Sequence, residues 1–174
     1  MLHNKMGSRF SFDNFDVSKS NSKAYEKAKQ FAGNPDSKPL ALFGGTATGK
    51  THLLYAVKNA IEQNFPQFHV IYTTTADIVA SLTNTISSGG TSEQFREKYL
   101  RADVLLVDDI QGLAGKEKTQ DELILLFNAF YESGKRFMMT SSQKETHDGL
   151  NDRLTSRAFW GDFAKISTAY INEG

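Results

Sequence analysis

The chain has no cysteine in its 174 residues, which excludes a disulfide framework and any cysteine-ligated zinc site. Histidine is scarce too: the four present are scattered without metal-ligand spacing, so no structural metal is expected. No run approaches the roughly 18 apolar residues of a membrane span. Met1 to Arg9 carries Lys5 and Arg9 but lacks the apolar core of a signal peptide, so the expectation is a cytoplasmic protein with no membrane partner. Net charge is missing as well. Lys+Arg and Asp+Glu are each 20, so no global field draws the chain onto nucleic acid, and any DNA contact must come from local patches or from assembled copies.

What remains is an ordinary globular composition, long enough for about one domain with a real core. Ala24, Ala28 and Phe31 suit an amphipathic helix from Ser20, which Gly33-Asn34-Pro35 stops. Met1 to Lys19 then forms an entry arm. Leu40 to Phe43 reads as a buried strand running into Gly44-Gly45, and a helix from about Gly49 to Asn64 presents Leu53, Leu54, Val57 and Ile61 on one face. His69 to Tyr72 is the next strand. Ile78, Val79, Leu82 and Ile86 mark a helix, Ser87 to Gly90 breaks it, and a second helical piece holds Phe95 and Tyr99. Val104 to Val107 is a buried strand. Leu123, Leu126, Phe127, Phe130 and Tyr131 give a helical stripe, followed by strands at Phe137 to Met139 and Phe163 to Ile166. Apolar strands alternating with helices predict an α/β fold, a parallel five-stranded sheet with helices on both faces. The predicted core includes Leu42, Phe43, Leu53, Val57, Val70, Leu105, Leu106, Phe127, Phe130 and Met138.

Between the first strand and its helix, Gly44 to Thr51 matches G-x-x-x-x-G-K-[ST] in full. Glycine lets this backbone curl so that successive N–H groups face phosphate oxygens, while the following helix contributes its positive dipole end. The nucleotide contacts expected from the loop are Gly45, Thr46, Ala47, Thr48, Gly49, Lys50, Thr51 and His52. Lys50 would reach the β and γ phosphates and Thr51 would ligate Mg²⁺. Such a match arises by chance in a chain of this length on the order of 1% of the time.

The third strand ends in Asp108-Asp109, at the carboxyl edge of the sheet where ligands collect. Adjacent carboxylates there are costly unless they meet a cation. Asp108 is expected to hold Mg²⁺ through water, and Asp109 to polarise the attacking water. The shorter reach of Asp than of Glu at position 109 predicts slow hydrolysis.

Beyond the loop, several segments carry a resemblance: Phe12-Asp13-Asn14-Phe15, Phe95 to Tyr99, Asp108-Asp109-Ile110-Gln111, Gly115 to Gln120, Phe127-Asn128, and Asp152-Arg153-Leu154 through Trp160-Gly161. With the P-loop, they make the chain from about Phe12 to Gly161 similar to the AAA+ ATPase domain of bacterial replication initiators of the DnaA family. The resemblance implies a P-loop NTPase of the AAA+ type. Residues 1–19 would be an arm over the nucleotide, residues 20–174 the α/β core, with an initiator-type helical insertion between Ala76 and Tyr99. It implies ATP or ADP with Mg²⁺ as cofactors, and adenine or ribose contacts from Phe15, Val17 and Asn21. Arg157 would be an arginine finger acting on a neighbouring subunit, with Arg153 one turn away to support it or pair with an acid. Lys116, Lys118 and Thr83 would face single-stranded or origin DNA along stacked copies.

Two departures stand out. The family's usual Thr-Ser-Asp reads Thr140-Ser141-Ser142 here, so Ser142 keeps a hydroxyl for phosphate or water but no charge. The chain also stops at Gly174, before the family's helical lid. Two functional readings follow. One is an ATP-dependent switch that assembles head to tail on origin DNA. The other is a regulatory or helicase-loading module, paired with an initiator or replicative helicase, that uses nucleotide as a structural switch. A generic P-loop kinase ranks behind both, since no acceptor pocket is recognisable.

Overall fold

The computed structural model describes Gly7, residues 9–142 and residues 149–167. The rest of the expected arm, 1–6 and 8, and of the expected core, 143–148 and 168–174, lies outside the described residues. The strands are β1 (Leu40–Gly44), β2 (Val70–Thr74), β3 (Val104–Asp108), β4 (Arg136–Ser141) and β5 (Asp162–Ile166). They form one parallel sheet in the order β2-β3-β4-β1-β5. The helices are α1 (Ser22–Gly33), α2 (Lys50–Asn64), α3 (Thr75–Ser87), α4 (Ser92–Leu100), α5 (Glu117–Glu132) and α6 (Asp152–Arg157), with a 3-10 turn at Ile110–Leu113.

Strand periodicity divides the core into two halves. Ala41, Phe43, Leu105, Val107, Phe137 and Met139 point to one face, where residues of α3, α4, α5 and α6 cover them. Leu40, Leu42, Val104, Leu106 and Met138 point to the other, under α1 and α2. Because both faces are covered, each central strand carries a continuous apolar run, Leu40 to Phe43, Val104 to Val107 and Phe137 to Met139, the pattern that distinguishes a doubly covered parallel sheet from a solvent-facing one. All ten residues expected in the core are buried.

The connection from β2 to β3 is the pair α3 and α4. Thr74 caps α3 by accepting from Asp77 N, and Thr91 with Gln94 forms a capping box on α4. Arg96 on α4 meets the buried Glu122 of α5 at 2.6 Å, which ties the helix pair to the body of the fold.

Four local expectations are corrected. Residue 69 lies before β2 rather than in it: His69 N donates to Asp103 Oδ2 at 2.7 Å, tying the entry of β2 to the entry of β3. The ladder instead runs on through Thr73 and Thr74, because Thr74 pairs with Asp108 at the end of β3. Helix α1 begins at Ser22, not Ser20, because the Asn21 side chain closes the preceding loop on Ser18 N. Tyr131 leaves the buried stripe of α5 and is half exposed, packed against Trp160 at 4.7 Å. At the foot of the sheet Gly161 passes so close to Pro39 that an added Cβ would lie 2.1 Å from its carbonyl oxygen, which accounts for glycine before β5.

Candidate nucleotide-binding site

The site forms at the carboxyl ends of β1, β3 and β4. Leaving β1, the chain enters left-handed conformations at Ala47 (φ 59°) and Gly49 (φ 96°) before α2 begins at Lys50. Alternation of this kind turns backbone N–H groups toward one centre. At Gly44 an added Cβ would sit 2.8 Å from Thr48 Oγ1 and 3.0 Å from the Ile166 carbonyl, so a side chain there would push the loop off β5. Residues 46–51 line a cleft of about 450 Å³ together with Asp109, Gln111 and Ser142. Residues 46–51, the second acid and Ser142 therefore converge, while Gly45, His52 and Asp108 of the expected contacts are not among the lining residues.

Lys50 is 5% exposed. Its ammonium donates to the Gly44 and Gly45 carbonyls at 2.7 Å each and to Thr48 Oγ1 at 3.3 Å. Burial pushes it below the ordinary lysine value, and the negative charges of Asp109 and Asp108 act in the opposite sense. A cation held by neutral carbonyls gains Coulombic attraction when anionic phosphate oxygens replace them.

Asp108, 2% exposed, is held by three hydroxyls. Thr51 Oγ1 and Tyr72 OH donate to its Oδ2, both at 2.8 Å, and Thr140 Oγ1 donates to Oδ1 at 2.5 Å. Thr51 was expected here. Tyr72 and Thr140 were not, and they follow from the sheet order, which seats β3 between β2 and β4. Burial and the Asp108 charge push the Tyr72 phenol far up, so it keeps its proton and donates. Thr140 Oγ1 also accepts from Asp109 N at 2.9 Å, so one hydroxyl fixes both acids.

Asp109 is a non-glycine residue at φ 62°, a conformation that costs about 1–2 kcal/mol. Its carbonyl accepts from Thr75 Oγ1 at 3.0 Å and its Oδ1 from Gln111 Nε2 at 3.0 Å. Gln111 Oε1 in turn accepts from Ser142 N at 3.1 Å. Gln111 thus bridges the acid to the end of β4, a role that its place in a sequence motif did not reveal.

The arm packs along α2. Asn59 Nδ2 donates to the Gly7 and Phe10 carbonyls, and His52 Nε2 lies 2.8 Å from the Ser11 carbonyl. Phe15 is buried between Tyr25, stacked at 5.6 Å, and His52, edge-on at 5.0 Å. Its ring lies 2.8 Å from where a Cβ on Gly49 would be, which places it over the start of α2. Val17 is 47% exposed. The Asn21 amide is used inside the arm, accepting from Ser18 N and donating to the Asp16 carbonyl.

Arg157 is apart from the cleft lining. Its Nε and Nη2 donate to Asn128 Oδ1 at 3.0 and 2.9 Å, Nη1 donates to the Arg153 carbonyl, and the guanidinium lies 4.7 Å from the Trp160 ring centre. Burial and the like charge of Arg153 both push its pKa down. Arg153 supports it through the backbone while opposing it electrostatically. Thr83, Lys116 and Lys118 come together in a separate cleft of about 520 Å³, with Val79, Leu82 and Ile86 as its apolar wall.

Among the described residues no group of three or more His, Cys, Asp or Glu side chains gathers to cage a metal. One hydroxyl and one carboxylate 2.8 Å apart at Thr51 and Asp108 suit Mg²⁺, which keeps several waters and takes phosphate oxygens alongside one or two protein ligands. The donor set fits that ion.

A parallel sheet with a phosphate loop after β1, an acid at the end of β3 and β4 inserted between them defines a P-loop ATPase of the AAA+ type. The family model described as the bacterial DnaA ATPase domain matches residues 6–165, and the chain belongs to that family. It is 40% identical over 161 residues to the chromosomal replication initiator protein DnaA of Thermus thermophilus, covering 90% of this chain and 36% of that protein. The chain therefore spans about a third of such relatives. Domain III of the Thermotoga maritima replication initiation protein DnaA superposes with a TM-score of 0.86 at 39% identity, covering 90% of this chain and 66% of that one. A replication initiator DnaA bound to AMPPCP and single-stranded DNA does so with a TM-score of 0.85 at 35% identity, covering 92% and 50%.

Proposed function

We propose that the chain is the nucleotide switch of a replication initiator. It binds MgATP at the P-loop, hydrolyses it slowly, assembles head to tail through Arg157 and acts on single-stranded origin DNA. The observation that carries this reading is that Lys50 and Thr51 line one cleft with Asp109, and that Thr51 hydrogen-bonds the buried Asp108 behind it. In it, Lys50 and the loop amides bind the polyphosphate, and Thr51 and Asp108 hold Mg²⁺, which neutralises charge on the transferring phosphoryl group. Asp109 orients the attacking water, with Gln111 and Ser142 fixing the geometry around it. Phe15 shields the base side of the site. Calorimetric titration with ATP and ADP in the presence of Mg²⁺ tests it: a saturable heat with each is expected, and none with either would overturn the reading.

The DNA contact rests on the convergence of Thr83, Lys116 and Lys118 on one cleft with an apolar wall. A helical stack of copies would line such clefts into a charged groove. With ATP and excess protein, a Lys116→Ala, Lys118→Ala variant is expected to bind single-stranded DNA with a salt slope lower by about 1.4 per subunit bound, about 0.7 for each lost phosphate contact. An unchanged slope would remove these two lysines from the interface.

A further inference from the structure

Asp108 carries more hydrogen bonding than a carboxylate at a strand end needs. Its Oδ2, the oxygen that meets the P-loop hydroxyl of Thr51, also accepts from Tyr72. Tyr72 comes from the edge strand β2, where it pairs with Leu106. Side chains two apart on a strand share a face, so Tyr72, Leu106 and Asp108 line the same side of the sheet, and the long phenol reaches one step forward to the acid.

The ring that carries this hydroxyl is tightly held. Tyr55 stacks on Tyr72 with centroids 4.2 Å apart and planes at 27°. Tyr55 lies four residues after Thr51 on α2, so both sit on one helix face: Thr51 touches Asp108 directly, and Tyr55 supports the residue that touches it from the other side. Tyr55 is itself covered by the arm, by Phe10 stacked at 5.8 Å and by Gly7, where a Cβ would fall 2.5 Å from the Tyr55 ring. Backed by Tyr55 on one side, the phenol offers its hydroxyl to Asp108 Oδ2.

We infer that Tyr72 is a positioning residue for the metal-binding acid: its hydroxyl holds the Asp108 carboxylate turned toward Thr51, so that the pair is formed before Mg²⁺ arrives with the nucleotide. This rests on the reading that Thr51 and Asp108 hold Mg²⁺. Tyr72 is not among the residues that line the nucleotide cleft. It acts through Asp108, as outer-shell partners of metal ligands do.

The test is Tyr72→Phe, which keeps the ring stacked on Tyr55 and removes only the hydroxyl. Binding of a fluorescent adenine nucleotide is measured by anisotropy in EDTA and across a Mg²⁺ titration. In EDTA the variant is expected to match the wild type within about twofold, and the gain in affinity on adding Mg²⁺ to fall roughly 10-fold, the lower range for lost outer-shell partners. An undiminished gain overturns the inference. A wild type that binds nucleotide in neither condition overturns the nucleotide reading itself, so the two failures are distinct. In an Asp108→Asn background, Tyr72→Phe is expected to add nothing to the loss, and additive losses also overturn it. Should the single variant be too unstable to titrate, the same cycle is read from melting temperatures with excess MgADP, where additivity again counts against it.

Discussion

Lys50→Ala is expected to lower MgATP affinity about 100-fold while leaving the fold intact. The ammonium sits among the Gly44 and Gly45 carbonyls and Thr48 at the mouth of the loop, placed where phosphate oxygens can take over its hydrogen bonds. Truncating one partner of a buried, hydrogen-bonded charge pair costs about 2–5 kcal/mol, and about 2.7 kcal/mol already corresponds to 100-fold in the dissociation constant. The fold stands to lose less. Lys50 is a desolvated cation whose pKa is already pushed down by burial, so its removal relieves a desolvation cost while leaving two carbonyls to water. Calorimetry with MgATP gives the affinity and a thermal melt in EDTA gives the stability. An affinity within about threefold of the wild type would mean that Lys50 does not contact phosphate.

The parts of this site that were legible in the sequence are those fixed by local pattern. The phosphate loop needs a strand, a run of eight residues and a helix, all contiguous, and the acidic strand end needs only an apolar run with two carboxylates after it. Both were readable because no distant residue decides them. Tyr72, Thr140 and Gln111 are different. Tyr72 reads as an apolar strand residue until β2 is known to lie beside β3 in a register that aims its hydroxyl at Asp108. Thr140 reads as one hydroxyl in a Thr-Ser-Ser run until β4 is inserted between β3 and β1. The same limit explains His69, which pattern assigns to a strand and which lies just before it, tied to the Asp103 side chain at the entry of β3. Periodicity assigns Tyr131 to the buried face, whereas it packs on Trp160 at the surface. Strand order and register are long-range facts, and side chains whose roles depend on them stay anonymous in a linear reading.

Arg157→Ala is expected to leave MgATP binding by an isolated subunit within about threefold of the wild type, yet to lower turnover at high protein concentration about 1,000-fold. The two effects separate because Arg157 does not line its own chain's nucleotide cleft. Its guanidinium is instead fixed by Asn128, the Arg153 carbonyl and the Trp160 ring. Arg157 is 9% exposed with Nε, Nη1 and Nη2 all bonded within the chain, so docking on a neighbour's nucleotide requires some of these bonds to be exchanged for phosphate contacts. An arginine supplied in trans is worth about 10³–10⁵ in phosphoryl-transfer rate, hence the size of the expected loss. Phosphate release measured over a range of protein concentrations should show specific activity rising with concentration for the wild type and staying flat for the variant. Sedimentation with ATP should show the variant as the smaller species. Arg157→Lys should not restore the rate, because an ammonium lacks the planar fork that Asn128 and Trp160 hold. Should the variant's specific activity climb with concentration as the wild type's does, the guanidinium plays no part in the neighbour's chemistry.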